Sequence, residues 1–197
     1  MDDALRTTVL DLQHIYTIVL ALAIGEAFKQ FVADAHREPQ KRRIHWNQLL
    51  ALVAFLVLVI PFFQGMSRHF YVTYFQEPFP SPYSVWLFVD CIAFTIEGSL
   101  FFVLSRSLPA VQWKRFYTTV ILLLALDGTW GLIVHGHNAE TIQAWLILDG
   151  VFLVVFGLVL LTCWKRNEFV GATIGMLIAI IRTVLDYTWL WQFYFPE

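Results

Sequence analysis

Six long apolar stretches constrain the fold of this 197-residue chain more than any other feature of its sequence. A bilayer core about 30 Å thick needs roughly 20 apolar residues of helix to cross it. Backbone polar groups must find partners within the protein when they lie in lipid, so stretches of this length are expected to be helices. We therefore predict an all-α, polytopic integral membrane helix bundle. The six predicted spans are residues 8–31, 46–65, 83–105, 116–136, 141–164 and 169–194.

The composition supports this fold class and excludes several others. The chain is 58% hydrophobic and 14% charged, whereas soluble domains are about 45–50% apolar and about 25% charged. This rules out an ordinary soluble domain and a disordered chain. The net charge is −2, so the chain lacks the basic face that a nucleic-acid-binding protein needs. Because the connections between spans are mostly short, we predict one transmembrane domain over residues 1–197.

The distribution of positive charge predicts an orientation. Lys and Arg concentrate on the cytoplasmic side of membrane proteins. Ten of the 13 Lys and Arg residues lie in or beside the loops after the first, third and fifth spans. We therefore expect both termini outside and a location in the bacterial cytoplasmic (inner) membrane.

The first of these loops contains the basic segment Arg37 to Arg43. Such a segment sets topology, and it could also dock a cytoplasmic partner or anionic lipid. Membrane lipids are the other expected partners, and no nucleic acid is expected. A chain of this length is small for a complete transporter, so we also expect a homo-oligomer.

Ionisable residues inside the predicted spans are the main indication of function. Such residues are costly in lipid and usually face the bundle interior or a water-filled cavity. Most of them lie in the outer half or near the middle of their spans, which predicts an acidic cavity open to the outer side. Trp130 and Tyr187 are expected to line it. The candidate residues for a proton or cation pathway are Asp90, Glu97, Asp127, Asp149, Arg182 and Asp186.

Spacing along the helices suggests how these groups are arranged. Asp90 and Glu97 are seven residues apart and share a helix face, and Arg182 and Asp186 can touch because they are four apart. Arg182 is the only deep cation in the sequence, so we expect it to neutralise Asp186, Asp127 or Glu97. The remaining carboxyls must then be protonated, hydrated or bound to a cation.

Two other patterns concern packing and the longest connection. Gly171, Gly175 and Ala179 recur at every fourth position, which lets helices approach closely, either within the bundle or between subunits. Residues 66–84 are expected to lie outside the spans. Their aromatic run would form a short amphipathic helix at the interface, where it could anchor the chain or cap the cavity.

A metal site is not expected. His14, His69 and His135 fall near the outer boundary, and histidine and carboxylate are ordinary zinc ligands. However, their spacing matches no recognised zinc motif. We therefore predict neither a metal nor a cofactor.

Three classes of function remain open. The first is a proton- or cation-linked channel or transporter-type protein that works as an oligomer. The second is a membrane-embedded enzyme that uses paired carboxylates on a lipid or apolar substrate, although no catalytic signature identifies its catalytic residues. The third is a membrane sensor or anchor subunit of a multi-protein system, such as a stress-response or phage-defence system. The acids within the spans favour the first.

Overall fold

The computed structural model describes residues 3–37, 46–75, 85–108, 112–134, 139–163 and 168–196. Within these ranges the chain is helical and contains no β-strand. Six of the helices are long and apolar enough to cross a membrane, as predicted from the sequence, and this is compatible with an integral membrane protein. The helices are α1 (Asp3–Arg37), α2 (Trp46–Tyr74), α3 (Val85–Arg106), α4 (Trp113–Val134), α5 (Ala139–Cys163), α6 (Glu168–Trp189) and the single turn α7 (Trp191–Tyr194).

The long helices pack as a ring whose order differs from their order in the chain. Around the ring, α1 is followed by α3, α4, α5, α6 and α2, and α2 then packs against α1 again. Helix α2 also touches α3 and α4, and its apolar span is more buried than those of the other five described helices. It therefore reaches towards the centre of the ring.

The surface and the interior of the bundle are both largely apolar. Large apolar side chains point outwards from every long helix, as expected for a bundle that lipid surrounds. Examples with about half or more of their surface exposed are Ile18, Ile60, Phe88, Leu132, Val154 and Ile181. Inside the ring, a continuous core of aromatic and aliphatic side chains joins all six helices.

The end of α2 corrects the predicted boundary at residue 65. The helix continues to Tyr74, and its last turns contain the aromatic run that we expected to form a separate interfacial helix. Phe70 and Tyr74 are almost completely buried against the bundle. The polar residues that ended the predicted span have protein partners: Gln13 donates to Ser67, and His69 lies beside Asp90.

Helix α6 is the most amphipathic long helix and presents its small residues to α4. Gly171 lies against the Trp113 indole, where an added Cβ would come within 2.8 Å of the ring. Gly175 lies in the same way against the Tyr117 ring, and Ala179 is fully buried. The Tyr117 hydroxyl also donates to the Ala172 carbonyl at 3.2 Å. The small-residue stripe therefore allows close packing within one chain.

Several expectations concern parts of the chain that lie outside the described residues. Apart from the backbone of Arg37, the basic segment Arg37 to Arg43 is among them, as is His135. The orientation of the termini and the choice of membrane stay predictions.

Candidate functional site

A small polar cavity lies in the half of the bundle that is nearer α7. The centre of a water molecule can occupy about 20 Å³ of this cavity, so the cavity has room for about one water. Helices α2, α3, α4, α5, α6 and α7 all contribute side chains to its wall. The lining residues are Pro61, Phe62, Gly65, Met66, Phe94, Glu97, Asp127, Trp130, Trp145, Arg182, Asp186 and Tyr194.

Arg182 of α6 is the centre of the polar wall. Its Nη2 donates to Asp149 Oδ1 of α5 at 2.6 Å, and its Nη1 lies 3.6 Å from Asp186 Oδ2, one turn further along α6. All three side chains are at most 3% exposed. The guanidinium also lies over the Phe62 ring, 4.8 Å from its centroid, an arrangement that stabilises a cation.

The sequence placed Asp186 among the partners of Arg182, but not Asp149. Arg182 and Asp149 lie on different helices, so no spacing rule connects them. They meet because α5 and α6 are neighbours in the ring.

Two further carboxyls complete a cluster around Arg182. Asp127 of α4 lies beside Asp149 and close to Glu97 and Arg182. Glu97 of α3 accepts a hydrogen bond from the Tyr16 hydroxyl of α1. Glu97, Asp127, Asp149 and Asp186 therefore surround one guanidinium, and we call these five residues the Arg182 cluster.

The hydrogen bonding of the Arg182 cluster is incomplete within the described part of the chain. Asp149 Oδ2 has no hydrogen-bond partner there, and neither do Arg182 Nε and Nη1, although all three atoms are buried. Buried polar atoms normally have partners. The cluster therefore has the capacity to bind water or to hold a proton between carboxyls.

Asp90 belongs to a separate polar group next to the cavity. It accepts hydrogen bonds from the Tyr74 hydroxyl and from Trp130 Nε1, both at 2.7 Å. His69 Nε2 lies 3.0 Å from Asp90 Oδ2, the oxygen that also accepts from Tyr74. With these three partners the buried carboxyl is well satisfied. Its link to the cavity is Trp130, whose ring lines the wall.

The structure thus brings together five of the six predicted pathway residues and places Asp90 beside them. Trp130 lines the cavity, as the sequence suggested. Tyr187 is not among the lining residues and instead donates to Gln64 Oε1 at 2.8 Å.

Two tyrosines in the site were not predicted. Tyr194 lines the cavity and donates to Asp186 Oδ1 at 3.2 Å; its position two turns after Asp186 was a signal in the sequence. A tyrosine hydroxyl is protonated at neutral pH, so it is the donor in this pair. Tyr16 had no such signal, because its partner Glu97 is 81 residues away.

The histidines are dispersed in the described part of the chain. His69 is buried beside Asp90, while His14 is exposed on α1. Among the described residues, no three or more His, Cys, Asp or Glu side chains are grouped so that they could hold a metal ion.

No protein family, curated protein or solved structure matches this chain significantly. Its function is therefore inferred from the chemistry of the site alone.

Proposed function

We propose that this chain is a proton-linked integral membrane protein, in which the Arg182 cluster takes up and releases a proton through the α7 end of the bundle. The observation that carries the proposal is the imbalance of four carboxyls around one guanidinium. Glu97, Asp149, Asp186 and Arg182 are buried, and Asp127 is partly buried. With every carboxyl ionised, three negative charges would be uncompensated. Burying unpaired charge is far more costly than protonating it, so the cluster holds protons.

The pair formed by Asp127 and Asp149 is the best place for a proton. Two neighbouring carboxyls cannot both stay ionised without strong repulsion. A proton on Asp127 supplies a donor to Asp149, which leaves Asp149 ionised and bonded to Arg182.

The size and charge of the site favour a proton over a metal cation. Calcium needs six to eight oxygen ligands, and magnesium usually retains several of its own waters. The cavity has room for about one water, and the Arg182 guanidinium already occupies the centre of the carboxyls. A second cation would meet its repulsion, whereas a proton needs no added volume.

The other half of the bundle interior is closed by apolar side chains. On the side of the Arg182 cluster away from α7, the core contains aromatic and aliphatic residues from α2 to α5 that are completely buried. Examples are Phe55, Leu58, Phe101, Phe116, Val120 and Phe156. This supports access from one side at a time, as in a proton-linked transporter, more than it supports a continuously open channel. As part of the proposal, the chain works as an oligomer in lipid.

The volume of the cavity supports a membrane-embedded enzyme less well than a proton site. Pockets for small-molecule substrates usually enclose about 300–1,000 Å³. The space beside these carboxyls is much smaller.

Proton flux into liposomes tests the proposal. The purified protein is reconstituted with a trapped pH-sensitive dye, and a pH gradient is imposed while the membrane potential is clamped. We expect the wild type to dissipate the gradient faster than protein-free liposomes, and Asp127→Asn to abolish the difference. Asp11→Asn is the matched control, since Asp11 is exposed on α1, outside the cluster. Wild-type flux no faster than that of empty liposomes would refute the proposal.

A further inference from the structure

The short helix α7 forms part of the cavity wall. It follows a break in the helix at Leu190 and is a single turn. Tyr194 points inwards, with 6% of its surface exposed, and lines the cavity. Its neighbours Trp191 and Phe195 point outwards and are 57% and 43% exposed. One face of α7 is therefore inserted into the site, and the opposite face is open.

Side-chain hydrogen bonds and ring contacts fasten α7 to the bundle. The Tyr194 hydroxyl donates to Asp186 at 3.2 Å. Arg68 Nε of α2 donates to the Phe193 carbonyl at 2.9 Å. The Phe193 ring packs edge-on against the Trp145 ring of α5, with their centroids 4.8 Å apart. The Tyr194 ring also packs against the Tyr187 ring of α6, with their centroids 4.7 Å apart. Two side-chain hydrogen bonds and two ring contacts therefore hold the turn in place.

The packing of α7 lies at the edge of the main core. Tyr194 forms a small apolar cluster with Ala144 and Leu190, and Trp145 packs against both this cluster and the one that joins the six long helices. Elements with few buried apolar contacts open at low free-energy cost. Releasing α7 therefore leaves the apolar core of the ring intact.

Tyr194 fills a gap whose other wall is the backbone of α2. At Gly65 of α2, an added Cβ would lie 3.5 Å from the Tyr194 hydroxyl and 3.6 Å from Trp145. With α7 lifted, the cavity between Gly65 and Asp186 would open at this end of the bundle.

We propose that α7 is a lid on the cavity. The Tyr194 side chain blocks access to the carboxyls, and the Arg68–Phe193 hydrogen bond holds the lid closed. Lifting the lid admits water to the carboxyls of the Arg182 cluster, and closing it seals them from the α7 side. The role of the lid in controlling proton access rests on the proposed function. The opening of the lid does not rest on it, because opening depends only on the contacts of α7.

Thiol labelling of a cavity residue tests the lid. Met66 lines the cavity and is 2% exposed, so Met66→Cys reports access once Cys91 and Cys163 have been replaced by alanine. A water-soluble maleimide is added to the purified protein, and the labelling rate is measured. Loss of one stabilising hydrogen bond makes opening about tenfold more frequent. We therefore expect Arg68→Met to label about tenfold faster, and Tyr194→Ala at least as fast.

Two controls separate lid opening from general loosening. Gln192→Ala changes an exposed residue of α7 and should label at the parent rate. Val120→Cys, in place of Met66→Cys, lies in the apolar half at 0% exposure and should stay unreactive in every variant. Unchanged labelling in both Arg68→Met and Tyr194→Ala would overturn the lid, as would equal labelling at Val120→Cys. Because labelling does not depend on proton flux, the lid and the proposed function can fail separately.

Discussion

At the scale of single residues, Arg182 is the group on which the site depends. It is completely surrounded by protein and bridges Asp149 of α5 and Asp186 of its own helix. Removing one partner of a buried ion pair is costly because it leaves the other charge uncompensated. Here a single substitution would leave two buried carboxyls without their cation.

We therefore expect Arg182→Met to destabilise the fold by about 3–5 kcal/mol, seen as a lower thermal unfolding midpoint in detergent. Arg182→Lys should lose less, because it keeps the charge, yet its single ammonium cannot reproduce the fork of donors that bridges two carboxyls. Combining Arg182→Met with Asp149→Asn should recover part of the loss, since it removes one stranded charge. A midpoint for Arg182→Met equal to that of the wild type would contradict this reading of the ion pairs.

At the scale of secondary-structure elements, the close contact between α4 and α6 depends on glycine. The rings of Trp113 and Tyr117 occupy the space that a side chain at Gly171 or Gly175 would need. On α5, by contrast, nothing lies within 4 Å of a Cβ added at Gly150 or Gly157. The chain thus offers matched sites for the same substitution.

Gly175→Ala should destabilise the protein by about 1–3 kcal/mol, because the added methyl forces the Tyr117 ring to move within a packed core. Gly171→Ala should act in the same direction. Gly150→Ala and Gly157→Ala should be neutral or slightly stabilising, since alanine is the better helix former. Thermal midpoints of the four variants in one detergent provide the comparison. Equal effects at Gly175 and Gly157 would show that the close approach of α6 to Tyr117 is not a packing constraint.

The elements also show where sequence reasoning succeeds and where it stops. Hydropathy predicted the six spans because each is a local run of apolar residues. It ended the second span too early because it treats Ser67, Arg68 and His69 as groups that need water. In the fold these side chains bond to Gln13, Phe193 and Asp90, so the helix continues. The break at Leu190 was also not predicted, as no Gly or Pro marks it in the sequence.

At the scale of the whole molecule, the order of the helices in the ring determines which predicted residues meet. The sequence could identify the deep acids from their positions within apolar runs. It could not pair Asp149 with Arg182 or Tyr16 with Glu97, because those pairs depend on α5 lying beside α6 and α1 beside α3. The order of the helices also keeps Asp90 out of the Arg182 cluster. Its carboxyl contacts Tyr74, Trp130 and His69 instead.

The ring also accounts for the difference between the two halves of the interior. Acids enter from α3, α4, α5 and α6 at similar depths and converge on Arg182, whereas the buried residues at the opposite end are mainly apolar. The buried Ser105 and Thr119 there donate to carbonyls of their own helices. The result is a polar site closed on one side by the core and on the other by α7. The central claim is that this site holds a proton.

Infrared spectroscopy of the protein in lipid at neutral pH tests that claim most directly. A protonated carboxyl group has a carbonyl stretch distinct from that of a carboxylate, and exposed Asp and Glu are ionised at this pH. We predict a protonated-carboxyl band in the wild type that is reduced in Asp127→Asn and retained in Asp11→Asn. Absence of the band from the wild type would mean that all four carboxyls are ionised and would contradict the account.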